Sequence, residues 1–74
     1  MTRFEYINNN LPEIKEETKM GFIPTTILQH YTIYCRYDFY RKQKNNVSTS
    51  VFYTSEDFKI SERLVYKIIK EMNI

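Results

Sequence analysis

The fold of this chain is decided by residues 48–72, which read STSVFYTSEDFKISERLVYKIIKEM. The stretch contains neither glycine nor proline, and in its second half the apolar side chains recur at intervals of three and four residues, as they do along one face of a helix. Ser61 has the short side-chain oxygen preferred at a helix N-cap, and Glu62 follows in the first turn, where the helix dipole favours an anion. The stretch therefore predicts two helices joined by a turn at Lys59 and Ile60.

The spacing within this stretch resembles the helix-turn-helix motif of small bacterial and phage DNA-binding proteins. The positions that carry the resemblance are one small residue and five apolar residues: Ser55, Val51, Phe58, Ile60, Val65 and Ile68. In that motif a small residue on the first helix lies where the second helix crosses it, and an apolar residue in the turn fills the angle between the helices. The resemblance covers about a third of the chain and implies a C-terminal DNA-binding unit over residues 48–73.

The sequence departs from the motif at two positions. Lys59 stands where glycine is usual, so a residue with a side chain is expected to adopt a left-handed conformation at a cost of about 1 kcal/mol. Ser55 replaces the commoner alanine. The start of the first helix has two candidates: Ser48 as an N-cap, or Thr54 with Asp57 as a capping box, which would leave a single turn of helix.

The second helix, residues 61–72, divides into an apolar face and a basic face when its residues are placed at 100° intervals. The apolar face holds Val65, Ile68, Ile69 and Met72, and the opposite face holds Arg63, Tyr66, Lys67 and Lys70. In a recognition helix, N-terminal residues contact base edges in the major groove and later basic residues contact phosphates. By that analogy, the predicted nucleic-acid-binding residues are Lys59, Ser61, Glu62, Arg63, Tyr66, Lys67 and Lys70.

The N-terminal segment, residues 1–20, is predicted to be helical but broken near its middle. Its apolar residues repeat at intervals of three and four: Phe4, Ile7, Leu11 and Ile14. Pro12 lacks an N–H group and clashes with a preceding helical turn, so Asn10 is expected to cap a second short helix that starts near Leu11. Gly21 is the only glycine and is expected to end this segment in a left-handed cap.

Residues 24–44 are predicted to form a long central helix, because Pro24 suits a helix start and neither glycine nor proline follows it. Two nearly opposite faces are apolar, one with Ile27, Leu28, Tyr31, Tyr34 and Cys35, the other with Ile33, Tyr37 and Tyr40. A helix that is apolar on two sides is usually packed on both. We therefore expect the central helix to lie between the N-terminal segment and the C-terminal helices, with its tyrosines mainly in the core.

Composition favours an all-α fold. The 74 residues include one glycine and two prolines, too few for the repeated hairpin turns of an all-β domain. Seven tyrosines and five phenylalanines can fill a core efficiently in a chain of this size. We expect one domain, residues 1–74, folded as a small bundle of four to five helices with a C-terminal helix-turn-helix.

Charge and cysteine usage bear on location. The net charge is +2, and the C-terminal half, residues 36–74, carries more basic than acidic side chains. A single cysteine cannot form an internal disulfide, and no apolar run approaches the roughly 18 residues that span a bilayer. No signal-peptide pattern is present, so a cytoplasmic location is the expectation.

The sequence gives no support for an enzyme, a metal site or a cofactor. His30 and Cys35 lie about 140° apart around the central helix and cannot converge on a metal, which needs three or four ligands. Cys35 falls on an apolar face and is expected to be a small buried hydrophobe rather than a nucleophile. The neighbouring acids in Glu16-Glu17 and Glu56-Asp57 diverge on a helix, and there is no glycine-rich phosphate loop.

Two functions remain. The first is a DNA-binding protein that regulates transcription or serves a phage, plasmid or transposon, with double-stranded DNA as partner and an exposed Tyr/Ile surface for a homodimer. No membrane and no small-molecule substrate are expected. The second is a helical protein-interaction module, such as a mobile-element inhibitor or adaptor, since fold does not fix function. The modest net charge and Glu62 in the first turn of the second helix both favour this alternative.

Overall fold

A computed structural model describes all of residues 1–74 and contains five helices and no strand. The helices are α1 (Arg3–Asn9), α2 (Leu11–Lys19), α3 (Thr26–Lys42), α4 (Val47–Phe58) and α5 (Glu62–Met72). The predicted all-α bundle of four to five helices is thereby confirmed. None of the helices is long and apolar enough to cross a membrane.

The N-terminal segment is broken where Pro12 predicts, but the side chain of Asn10 has a different role. Thr2 caps α1 through a reciprocal pair of hydrogen bonds with Glu5, of 3.1 and 3.0 Å. Pro12 lies in the first turn of α2. Asn10 occupies the N-cap position of α2, but its side chain makes no cap bond to that helix. Its Nδ2 donates to the carbonyl oxygen of Tyr6 at 2.8 Å, at the end of α1.

The end of α2 is a left-handed cap at Gly21, as expected. Gly21 has φ 84°, a conformation that costs glycine little because it has no Cβ. Its N–H donates to Thr18 at 3.1 Å, and the N–H of Phe22 donates to Glu17 at 2.9 Å. These two bonds form a Schellman motif, which satisfies carbonyl groups at the end of α2 and turns the chain toward α3.

The central helix α3 packs mainly against the C-terminal helices and is shorter than predicted by two residues at each end. Ile33 and Tyr37 are its buried residues, and α3 packs against both α4 and α5. The ring of Phe4, in α1, lies 5.6 Å from that of Tyr31 and 4.7 Å from that of Tyr34. Helix α3 therefore contacts both the N-terminal segment and the C-terminal helices, and its position between them stays a prediction.

The core consists of two clusters, and α5 contributes to both. The larger cluster joins α1, α2, α3 and α5 through Ile7, Ile14, Ile33, Ile68 and Met72. The smaller cluster joins α3, α4 and α5 through Tyr37, Val51 and Val65. Because burial of one face holds α5 at several points, its opposite face is presented on a fixed support.

Candidate nucleic-acid interface

Helix α4 begins earlier than either sequence candidate. Asn46 is its N-cap, with Oδ1 accepting from the N–H of Thr49 at 2.7 Å, so Ser48 already lies inside the helix. Thr54 is not a cap. It is fully buried in the middle of α4, and its hydroxyl donates to the carbonyl of Ser50 at 2.7 Å. Asn46 is as good a cap as serine or threonine and has the extended backbone that a cap requires, which is why the helix starts there.

The connection between α4 and α5 has the conformation expected of its residues. Lys59 is left-handed, with φ 54° and ψ 46°, and the N–H of Ile60 donates to Ser55 at 3.0 Å. Ile60 is half-buried and contacts both core clusters. Ser61 caps α5 by accepting from the N–H of Leu64 at 3.1 Å. The connection therefore spans three residues, and α5 begins with its first turn capped.

The inner faces of α4 and α5 contain the residues whose spacing resembles the helix-turn-helix motif. Val51, Val65 and Ile68 have no exposed surface. Ser55 is 6 % exposed, and its hydroxyl is satisfied inside its own helix by donation to the carbonyl of Phe52 at 2.7 Å. A small residue at this position allows two helices to approach closely. This is the physical reason why the helix-turn-helix motif has a small residue there.

All seven predicted nucleic-acid-binding residues are exposed. They are Lys59, Ser61, Glu62, Arg63, Tyr66, Lys67 and Lys70, and four of them lie on the outward face of α5. We call Lys59, Arg63, Lys67 and Lys70 together the cationic face. The opposite side of α5 holds Val65, Ile68 and Met72 in the core, so the predicted division of the helix into two faces is confirmed.

No residue of the cationic face forms an ion pair within the molecule. The three ion pairs are Lys42 with Asp38 at 2.9 Å, His30 with Glu71 at 3.2 Å and Arg36 with Asp57 at 3.8 Å. Glu62 also has no cationic partner, although it lies in the first turn of α5, where the helix dipole stabilises an anion. The positive charge of the cationic face is thus left free for a partner outside the chain.

Of the other basic residues, Arg41 makes no ion pair, and its Nη1 donates to the carbonyl oxygen of Asn45 at 3.0 Å. Burial raises the pKa of Tyr37, while the charge of Arg41 lowers it. Arg36 and Lys42 are engaged with acidic partners instead. Arg41 thus differs from Arg36 and Lys42 in having no acidic partner.

A second exposed feature was not identified from the sequence. Phe39, Tyr40, Tyr53 and Phe52 form a chain of ring contacts across α3 and α4, with centroids 5.5, 5.3 and 6.0 Å apart, and we call them the aromatic row. Arg36 lies 5.7 Å from the Phe39 centroid. Tyr40 donates to Asp57, and this hydrogen bond raises the pKa of the phenol because the neutral form is the donor.

The residues considered for metal or nucleophilic chemistry do not assemble into a site. Cys35 is half-buried rather than fully buried, and burial raises the pKa of its thiol, which disfavours the reactive thiolate. His30 contacts Glu71 across α3 and α5. No group of three or more His, Cys, Asp or Glu residues could hold a metal ion.

Fold and surface together define a five-helix, all-α protein that presents one unpaired cationic helix face and one row of four aromatic rings, three of them exposed. No protein-family model, no curated protein and no solved structure gives a significant match to the chain. The functional interpretation therefore depends on the geometry and charge of these surfaces.

Proposed function

We propose that the protein binds double-stranded DNA through the outward face of α5, with α4 and α5 acting as a helix-turn-helix. The observation that carries this proposal is the contrast between the two faces of α5. One face is anchored in both core clusters, and the other presents Arg63, Lys67 and Lys70 to solvent without an acidic partner. Lys59 adds a fourth exposed cation at the turn that precedes α5.

The dimensions and chemistry of α5 suit the major groove. A helix is about 10 to 12 Å in diameter with its side chains, which fits a groove about 12 Å wide, and the eleven residues of α5 make it about 16 Å long. Arg63 lies in the first turn, where a recognition helix meets base edges, and its guanidinium can donate two hydrogen bonds to guanine. Lys67 and Lys70 lie further along the helix and contact phosphates, as Lys59 does at the turn.

The biological role in this proposal is that of a small regulator of transcription or an accessory protein of a phage, plasmid or transposon. It rests on the resemblance of residues 48–73 to the DNA-binding motif. A single 74-residue chain offers a small contact area, so two copies on adjacent half-sites would increase both affinity and specificity.

Fluorescence anisotropy with random-sequence duplex DNA tests the proposal. Affinity should fall linearly in a log–log plot against salt concentration, because binding releases counterions from the phosphates. Lys67→Ala should make the slope shallower by about one unit. Lys15→Ala is the matched control, since Lys15 is an exposed lysine on α2, and it should leave the slope unchanged. Absence of binding at low salt, or equal effects of the two variants, would contradict the proposal.

The aromatic row favours a second candidate, a protein-interaction module. Phe39 and Phe52 are each 48 % exposed and Tyr53 is 43 % exposed, a concentration of aromatic surface typical of protein interfaces. This surface consists of Phe and Tyr, and a homodimer through exposed Tyr and Ile residues stays a prediction. Sedimentation equilibrium distinguishes a homodimer, at twice the 9.1 kDa chain mass, from a monomer that reserves this row for another protein.

A further inference from the structure

A cavity of about 290 Å³ lies between the N-terminal helices and the inner side of α3 and α5. None of the seven predicted nucleic-acid-binding residues lines it. Its volume is near the lower end of the range of about 300 to 1,000 Å³ found for small-molecule pockets. The cavity is thus large enough for a compact organic ligand and separate from the cationic face.

The floor of the cavity is apolar and belongs to the larger core cluster. Ile7, Ile14 and Met72 are 3, 5 and 2 % exposed, and the half-buried Ile27 lies beside them. These residues come from α1, α2, α3 and α5, so the floor is formed only when the N-terminal segment docks on the rest of the bundle. Such a surface favours an aliphatic or aromatic group over water.

The charged groups that line the cavity favour a cation. Two carboxylates, Glu17 and Glu71, face a single permanent cation, Arg3. His30 also lines the cavity, with Nδ1 3.2 Å from Oε2 of Glu71. In the tautomer that donates Nδ1–H to this carboxylate, Nε2 is a hydrogen-bond acceptor. The two carboxylates outnumber the one permanent cation, so an ammonium group, with a positive charge and three N–H donors, complements the excess negative charge of the lining.

We propose that this cavity binds a small apolar molecule that carries one primary ammonium group. The apolar body occupies the floor beside Ile27, and the ammonium group is held by Glu17 with Glu71 and His30. An alkyl carboxylate of the same length meets two like charges against the single opposite charge of Arg3, and an alcohol has no charge to pair with the two carboxylates. The site is independent of DNA binding and does not rest on that function.

Titration of the intact protein with n-hexylamine, followed by methyl NMR of its labelled isoleucines, tests this site. Saturable shifts are expected at the methyl groups of the four isoleucines that line the cavity, Ile7, Ile14, Ile23 and Ile27. Ile60, in the α4–α5 connection, should not respond. Hexanoate and hexanol are the matched ligands without the ammonium group, and each should bind more weakly.

Two exposed glutamates on α2 provide matched variants. Glu17→Gln should weaken hexylamine binding by up to about fivefold, the effect of losing one exposed ion pair. Glu13→Gln should have no effect, because Glu13 does not line this cavity. Neither glutamate is buried, so both variants should fold. The proposal is overturned if no saturable shift occurs, if hexanoate or hexanol binds as tightly as hexylamine, or if the two variants behave alike.

Discussion

Lys59 is the residue at which the backbone is most unusual for its side chain. With φ 54° it occupies the left-handed region, as Lys44 does with φ 68°, and neither is glycine. A side chain in this conformation costs roughly 1 to 2 kcal/mol, because Cβ approaches the following carbonyl oxygen. Lys59 adopts this unfavourable conformation in the connection that orients α5. Glycine would avoid the strain there but would remove one of the four charges of the cationic face.

Replacement of Lys59 by glycine and by alanine should separate backbone strain from charge. Both variants lose the same cation, but only Lys59→Gly relieves the left-handed strain. The free energy of unfolding of Lys59→Gly should exceed that of Lys59→Ala by about 1 kcal/mol, as measured by urea denaturation. Equal stabilities would mean that the left-handed conformation at Lys59 carries no strain.

At the level of the helix, α5 connects the stability of the fold to the proposed binding surface. Its inner residues join both core clusters, while its outer residues make no ion pair. Substitutions on the two faces should therefore have different consequences. Inner substitutions should change the free energy of unfolding, and outer substitutions should change only the affinity for a partner.

Ile68→Ala and Lys70→Ala test this division. Ile68 is fully buried, so its truncation should cost about 2 to 5 kcal/mol, much of the stability expected of a chain this small. Lys70 is exposed, and Lys70→Ala should stay within about 0.5 kcal/mol of the parent protein. Thermal unfolding followed by circular dichroism measures both. Similar losses for the two variants would mean that the faces of α5 are misassigned.

Helix α5 was predictable from the sequence because two local signals coincide in it. Ser61 caps it, and the period of its apolar residues divides inner from outer positions. The start of α4 was missed because Asn46 ends a polar run that indicates a loop, although it also caps a helix. Asn10 was misread for a related reason: an asparagine between two helices can serve either one, and the hydrogen bond to Tyr6 decides.

At the scale of the whole molecule, the features that sequence reasoning missed involve residues far apart in the chain. His30 and Glu71 are 41 residues apart, yet they meet beside the cavity. The spacing of residues within one helix does not predict such pairs, since they depend on how α3 and α5 pack against each other. The aromatic row was missed for the same reason, because Tyr40 and Tyr53 belong to different helices.

The arrangement of these surfaces connects fold to function. Arg36, Lys42 and His30 each pair with an acidic side chain, whereas the cationic face of α5 remains unpaired. A net charge of only +2 is therefore compatible with one locally positive surface, and local charge rather than the total attracts a polyanion.

Backbone amide NMR during titration with a short random-sequence duplex at low salt tests the central claim most directly. Chemical-shift changes should concentrate at Lys59, Arg63 and Lys67 and their neighbours on the outward side of α5. Glu13 and Lys15, on α2, should stay unchanged. Changes confined to Phe52, Tyr53 and the rest of the aromatic row, or no changes at all, would contradict DNA binding through α5.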